Sequence, residues 1–266
     1  MKKMMRKIQI IVFLLLAVCL WCCSSEVKEK KNDANDVVVI GNVFNRDGKT
    51  LNMHLMLVDT TGTNNEEYEP VSSSVVTKGG FNLKYTPNDA EPQFYRIGFN
   101  KTNSIITVAR KGEQLTFAFS NPDTLVRDYK VSGGKDAQLM QELDQRLARF
   151  IDSTDYLLSL FKYCDDSSRT YLKDIFSQIR ERHHNFLTTF IADHPQSLTT
   201  ISAFYQKYMS ADLFVSFFDE EADIELLEQI YKNLSQAYPH NCNVRWLAKR
   251  IELIHKNIDN QQDNPL

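Results

Sequence analysis

Cysteine, a net excess of positive charge and long apolar runs are all lacking or scarce in this sequence, and each shortage excludes something. Of 5 cysteines in 266 residues, Cys19, Cys22 and Cys23 fall together near the start, which leaves only Cys164 and Cys242 for the rest of the chain. Cys19 and Cys22 have Cys-x-x-Cys spacing only within the apolar run near the start, Cys164 and Cys242 make no such pair, and there is no four-ligand zinc spacing, so the usual signatures of thiol exchange and of structural metal are missing beyond that run. A G-x-x-x-x-G-K-[ST] phosphate loop is missing too. The formal net charge is -3. Nucleic acid is therefore not an expected partner, since phosphate backbones call for clustered positive charge. The longest apolar run, residues 8–21, is broken only by Gln9 and is shorter than the roughly 20 residues of a spanning helix. At 42% hydrophobic and 24% charged residues, the remainder is ordinary globular material, enough for one large or two modest domains.

What is present begins with an export pattern. Lys2, Lys3, Arg6 and Lys7 precede the apolar run, which is the order of a signal sequence. Leu20, Trp21, Cys22, Cys23 and Ser24 follow, with Leu20 three residues before Cys23 and a small residue directly before it. This resembles a bacterial lipobox, with Trp21 an imperfect fit. The resemblance implies a signal peptide over 1–22, acylation of Cys23 (Cys22 being the fallback) and a lipid anchor in the membrane. Apolar burial of about 0.8 kcal/mol per methylene makes several acyl chains together a firm anchor. The alternative is a plain secretory signal cut nearby. Removal of residues 1–22 takes four basic and no acidic residues, which lowers the formal charge from -3 to -7. Residues 23–36 read as a flexible tether, in which Lys28, Lys30 and Lys31 alternate with Glu26 and Glu29. Ser24 stands where some inner-membrane lipoproteins carry Asp, so the expectation is the outer membrane of a Gram-negative envelope.

Two patterns divide the mature part. Over residues 37–132, short β-branched and alternating stretches are separated by turn signals such as Asp47-Gly48 and Gly79-Gly80. Leu51, Met53, Leu55 and Leu57 share one face, with Asn52 and His54 on the other. Leu115, Phe117 and Phe119 share a face in the same way. Seven or eight such strands predict an antiparallel β-sandwich or barrel-like domain. After Gly133-Gly134 the period becomes helical: Leu139, Leu143, Leu147 and Phe150, then a long stripe from Leu172 through Ile191 that "DHPQS" stops. Helices are expected over 136–163, 168–192, 198–208, 220–237 and 243–258, forming an α-helical bundle over 133–258, with a disordered tail at 259–266. The fold class is α+β.

The stretches "VVVIGNVFNRDGKTLNMHLML", "VVTKGGFNLKY", "FYRIGF", "ITVARKGEQLTFAF" and "DYKVSGG" resemble the N-terminal β domain of unknown function found in envelope lipoproteins. In that family it commonly precedes a thioredoxin-like, AhpC/TSA-type domain. The helical part, including "FLTTFIADHPQSLTTISAFY", is similar to the linker that joins the two. The resemblance spans about residues 37–255 and rests on turn glycines and apolar alternation. Where such relatives continue into a Trp-Cys-x-x-Cys site, this chain reads "NIDNQQDNPL", so the family's redox activity is not carried over.

The remaining candidates carry bland readings beside sharper ones. Cys164 and Cys242 could form a disulfide in an oxidising compartment or remain separate. His183 and His184 sit about 100° apart on a helix and cannot chelate one ion together, and His183 extends the apolar stripe. His240 and Cys242 could offer two metal ligands, with Asp165 and Asp166 adding more if the loops met. The carboxylates of "FFDEEADIE" suit a helix start, and "SGGKDAQ" reads as a hinge. No catalytic residue, metal or cofactor is assigned. Two functions remain: a non-enzymatic anchored module that binds a protein, peptide or glycan, or an accessory of envelope thiol chemistry whose catalytic half lies on another chain.

Overall fold

The computed structural model describes residues 34–58, 66–210 and 213–263. Cys22, Cys23, the signal peptide and nearly all of the tether lie outside these residues. Two four-stranded sheets come first. Strands β1 (Val37–Val43), β4 (Gly80–Tyr85), β7 (Gln114–Phe119) and β8 (Tyr129–Ser132) make one sheet in the order β4-β1-β7-β8. Strands β2 (Thr50–Val58), β3 (Glu66–Val75), β5 (Gln93–Gly98) and β6 (Ser104–Ala109) make the other in the order β3-β2-β5-β6. The pairing is antiparallel with one exception, which corrects the all-antiparallel expectation: β1 and β7 run parallel. The chain leaves the first sheet to build β5 and β6 in the second. It returns beside β1 in the same direction, a relation that alternation within a strand does not encode.

Alternation does encode the core. Val37, Val39, Leu83, Leu115, Phe117, Phe119 and Tyr129 of the first sheet share one buried cluster with Leu51, Met53, Tyr95, Ile97 and Ile105 of the second. The intervening Phe94 and Val108 point the other way, into a second cluster shared with the helices. Strands β5 and β6 of the second sheet are thus buried on both faces. The first sheet turns Thr116, Ala118, Asn82 and Lys84 outward, as a sheet with one solvated face does. At the turn from β3 into β4, Lys78 (φ 51°) and Gly79 (φ 75°) form a two-residue loop closed by an isolated antiparallel bridge between Thr77 and Gly80, a positive-φ pair of the kind tight turns favour. Gly80 belongs to β4, one place later than the Gly-Gly turn read from sequence.

Both edges of the first sheet are met by side chains. On the β4 edge, the Asn82 and Lys84 amides donate to Ser74 Oγ (3.1 Å) and Ser72 Oγ (3.0 Å) of β3. On the β8 edge, the Gln141 side-chain amide donates to Tyr129 O and accepts from Val131 N (3.4 Å), as a neighbouring strand would. Unpaired strand edges are templates for further strands, and these two have been occupied from within.

Gln141 belongs to α1 (Lys135–Phe161), which lies against β6 and β8. Gly133, just ahead of it, has φ 112°, and a Cβ there would collide with Gln114 O. The helix therefore starts tight against the sheet, and the described residues on either side of Gly133 fall in one compact unit. Helix α2 (Asp166–Asp193) runs back along α1, its first turn capped by Asp165, whose carboxylate accepts from Ser168 N at 2.8 Å. Then come α3 (Thr199–Phe204), a two-stranded ribbon of β9 (Lys207–Met209) and β10 (Phe214–Ser216), α4 (Ile224–Ala237) and α5 (Cys242–Asp263).

A self-contained helical bundle does not emerge. The helix expected over 198–208 stops at Phe204, and a ribbon replaces its end, with Tyr208 opposite Val215 and both buried. Three-residue strands are too short to show a period of two. The apolar stripes of the helices face a sheet as well as one another. Helix α5 also continues past Ile258 into the segment read as tail. At the other end, order begins before Val37: the buried Asp36 carboxylate pairs with Lys84 Nζ at 2.7 Å and accepts from the Thr86 hydroxyl.

Candidate functional site

Helix α2 carries two recesses, one after the other. Near its start, Leu172 and Phe176, with Leu157, Leu158 and Phe161 of α1 and Leu213 before β10, surround an apolar hollow of about 150 Å³. Lys173 stands beside it, and Thr154 lines it. Thr154 is fully buried, and its hydroxyl finds no hydrogen-bond partner among the described residues. The helix pair also keeps Tyr156 (65% exposed), Tyr163 (90%) and Tyr171 (67%) in solvent, and the ribbon leaves Met209 and Phe214 exposed.

Further along α2, Ser177, Arg180, Glu181 and His184 occupy one stripe, as helical spacing of i, i+3, i+4 and i+7 requires. They face Ser216, Phe217, Phe218, Asp219 and Asp223 across a polar cleft of about 570 Å³. Arg180 donates from Nη2 to Ser216 O at 3.4 Å. His184 packs 4.8 Å from the Phe218 ring, which stacks in turn on Phe204 at 5.1 Å. The wall opposite α2 is built by a closed turn. Asp219 Oδ1 accepts from Glu221 N (3.0 Å) and Ala222 N (2.9 Å), while Asp223 Oδ2 accepts from Asp219 N (2.7 Å). Of the "FFDEEADIE" carboxylates, Asp219, Glu220, Glu221 and Asp223 thus precede α4 as a turn, and Glu225 falls in its first turn. Glu220 pairs with Arg250 through both carboxylate oxygens.

The two histidines part as their spacing requires. His183 is buried against Phe217 (4.4 Å) and Phe150 (5.2 Å), and its Nε2 meets Gln206 Oε1 at 2.7 Å. Burial holds its pKa below the ordinary value, partly offset by that hydrogen bond. It is a core residue, while His184 faces the cleft.

Cys164 and Cys242 are not joined to each other and both are free thiols. Cys164 lies between α1 and α2, its Sγ 3.5 Å from Phe161 O. Cys242 opens α5, its thiol donating to Gln93 Oε1 at 3.4 Å, and burial pushes that thiol up from its usual range. Asp165 and Asp166 are engaged locally, in the α2 cap and with Arg169. Among the described residues no group of three or more His, Cys, Asp or Glu is placed to hold a metal. "SGGKDAQ" serves a knot instead. Asp136 accepts from Ser197 Oγ (2.7 Å) and Arg110 Nη2 (3.3 Å), and Arg110 also donates to Tyr238 Oη (2.5 Å), joining a β-turn, α1 and the end of α4.

No protein-family model and no curated protein matches the chain. The resemblance to the lipoprotein β domain therefore rests on the quoted stretches alone, and function must be argued from the recesses.

Neither recess was read from sequence. A signal existed for one of them: Thr154 interrupts the apolar stripe between Phe150 and Leu157, where a polar residue without a reason is unexpected. The polar cleft had none, because its walls come from α2 and from a turn some 35 residues later whose approach depends on the ribbon.

Proposed function

We propose that this chain is a lipid-anchored binding module of a Gram-negative cell envelope, held at the outer membrane through Cys23, that engages a segment of a partner protein or peptide along α2. In this reading the two sheets act as a sandwich that supports the helical layer. The observation that carries it is the succession of an apolar hollow and a polar cleft on one helix, the combination of apolar wall and few polar groups that ligand sites favour. An almost wholly apolar hollow suits a side chain better than a sugar. No described helix is long and apolar enough to cross a membrane, which is compatible with a lipid anchor. The thiol alternative would need an activated thiolate, whereas burial moves Cys242 in the opposite direction.

Two experiments test this. Cells fed a clickable fatty acid should label the wild-type chain and lose that label in Cys23→Ala; label retained by a Cys22, Cys23 double variant removes the anchor. A photo-crosslinking amino acid at position 184 should join discrete polypeptides in intact envelopes, while one at position 130, on the outer face of the first sheet, should not. Equal crosslinking at both positions, or none at either, overturns the binding reading.

A further inference from the structure

Away from the recesses, the last turns of α1 carry an apolar stripe on their solvent face. We infer that this stripe is the two-fold contact of a homodimer, in which the α1 helices of two copies lie antiparallel.

Tyr156 is 65% and Leu160 40% exposed, and Tyr163, just past the helix end, is 90% exposed. The Tyr163 amide donates to Leu160 O at 3.1 Å, so the last turn carries Tyr163 round with the helix. Spacing of i, i+4 and i+7 sets the three on one face, roughly half a turn round α1 from Thr154, Leu158 and Phe161, which line the hollow. A contact there leaves the α2 recesses open, so this inference stands apart from the binding reading above. At roughly 200 Å² for a fully covered tyrosine, the two rings and Leu160 offer on the order of 400 Å² per copy. A standard interface covers about 800 Å² per partner, a little over half of it apolar. The stripe comes close to that apolar share. Its flanks suit close approach too: the Ser153 and Ser159 hydroxyls turn back onto their own helix, donating to Arg149 O (2.8 Å) and Tyr156 O (2.6 Å). Covering them strands no hydrogen bond.

The charges select a second copy and its direction. Arg149 and Asp152 precede the stripe, and Lys162, Asp165 and Asp166 follow it. When two copies run antiparallel about an axis between Tyr156 and Leu160, each Tyr156 meets Leu160 of the second copy, as two-fold symmetry requires. Each Asp152 then approaches Lys162, and each Arg149 the Asp165-Asp166 turn. A parallel arrangement would set Arg149 against Arg149 and Asp152 against Asp152, which is repulsive. Asp152 and Asp166 already touch Arg127 (3.1 Å) and Arg169 (3.2 Å), but they stay 62% and 98% exposed and can take a second cation.

The test uses the full-length chain purified in detergent, with chains per particle counted by sedimentation equilibrium in density-matched buffer. Wild type should pass from one chain to two across the micromolar range, while Leu160→Glu stays single. The circular dichroism of Leu160→Glu, and its urea midpoint at submicromolar concentration, should match wild type, which separates loss of contact from loss of fold. Arg149→Asp and Asp166→Arg should each weaken association about tenfold, since the dimer holds each pair twice. Combined, they should restore it. Wild type that remains single at about 0.1 mM, far above a micromolar Kd, overturns the inference. So does pairing that survives Leu160→Glu, because the anchors and not the stripe would then hold the chains together. A double charge variant that folds as wild type but associates no better than either single variant overturns it as well.

Discussion

The sheets and the α2 face treat exposed binding capacity in opposite ways. Along the sheets, free strand groups are met by Ser72, Ser74 and Gln141, and the aromatic core is closed: Phe117 and Phe119 stack at 5.6 Å, both essentially inaccessible. Along α2, a hollow and a cleft stay open beside exposed tyrosines. Edges left unpaired invite association without selection, whereas concave recesses select by shape and charge. The contrast assigns stability to one region and recognition to the other, and mutations should separate them.

The largest effect is expected in the closed core. Phe117→Ala removes a fully buried ring from between the sheets and should lower unfolding free energy by about 3–5 kcal/mol in urea titrations. Tyr163→Ser, at a position 90% exposed, should stay within about 0.5 kcal/mol of wild type. Similar costs for the two would erase the contrast. Next in size is Gln141→Leu, which leaves Tyr129 O and Val131 N without their partner at the β8 edge. About 1–3 kcal/mol should be lost, and concentration-dependent association by light scattering should appear as the edge opens. A variant that stays fully stable and no more associated than wild type would show that Gln141 is not the seal.

A third effect depends on pH. The Tyr129 hydroxyl donates to Asp144 Oδ2 at 2.7 Å beneath that same edge. The Asp144 residue keeps part of its surface in solvent, but its carboxyl is enclosed, and burial pushes its pKa up to about 7, with the Tyr129 hydrogen bond working against the rise. The folded state therefore holds this proton more tightly than the unfolded state. Below about pH 4 both states are protonated and the group is neutral in its effect. Between about 4 and 7 the unfolded chain ionises first, so stability falls as pH rises, then levels off once the folded carboxyl ionises too. Asp144→Asn should flatten that slope and gain about 1–2 kcal/mol at pH 8, read from urea midpoints across pH. An unchanged slope would place the titrating group elsewhere.

Legibility in the sequence followed the reach of the physics. Strand positions showed because side chains alternate within a few residues: Leu115, Phe117 and Phe119 could be placed on one face without knowing their neighbours. The long helices showed for the same reason at a period of 3.6. What did not show is set by partners distant in the chain. The parallel β1–β7 pair, the ribbon that pairs Tyr208 with Val215, and the sheet face that the helices cover all depend on which element arrives beside which. The candidate site belongs to this second kind. His184 could be set apart from His183 by helical geometry, but its place beside Phe218 could not, and the cysteines that stood out in the composition are not what shapes the recesses.

The smallest expected effect concerns the open region itself. Thr154 sits on the buried stripe of α1 with its hydroxyl unpartnered, and valine has nearly its shape without the polar atom. Removing a buried donor that makes no bond relieves a desolvation cost, whereas removing one that is bonded strands its partner. Thr154→Val should therefore leave stability unchanged or raise it by up to about 1 kcal/mol. The comparison is sharpened by Tyr95 and Thr107, whose hydroxyls are also buried without a partner among the described residues and which lie opposite one another in the β5–β6 pairing. Those two belong to the sheet region, and by the same reasoning Thr107→Val should be neutral or mildly stabilising. A loss of more than about 1 kcal/mol in Thr154→Val would mean that its hydroxyl is bonded in solution.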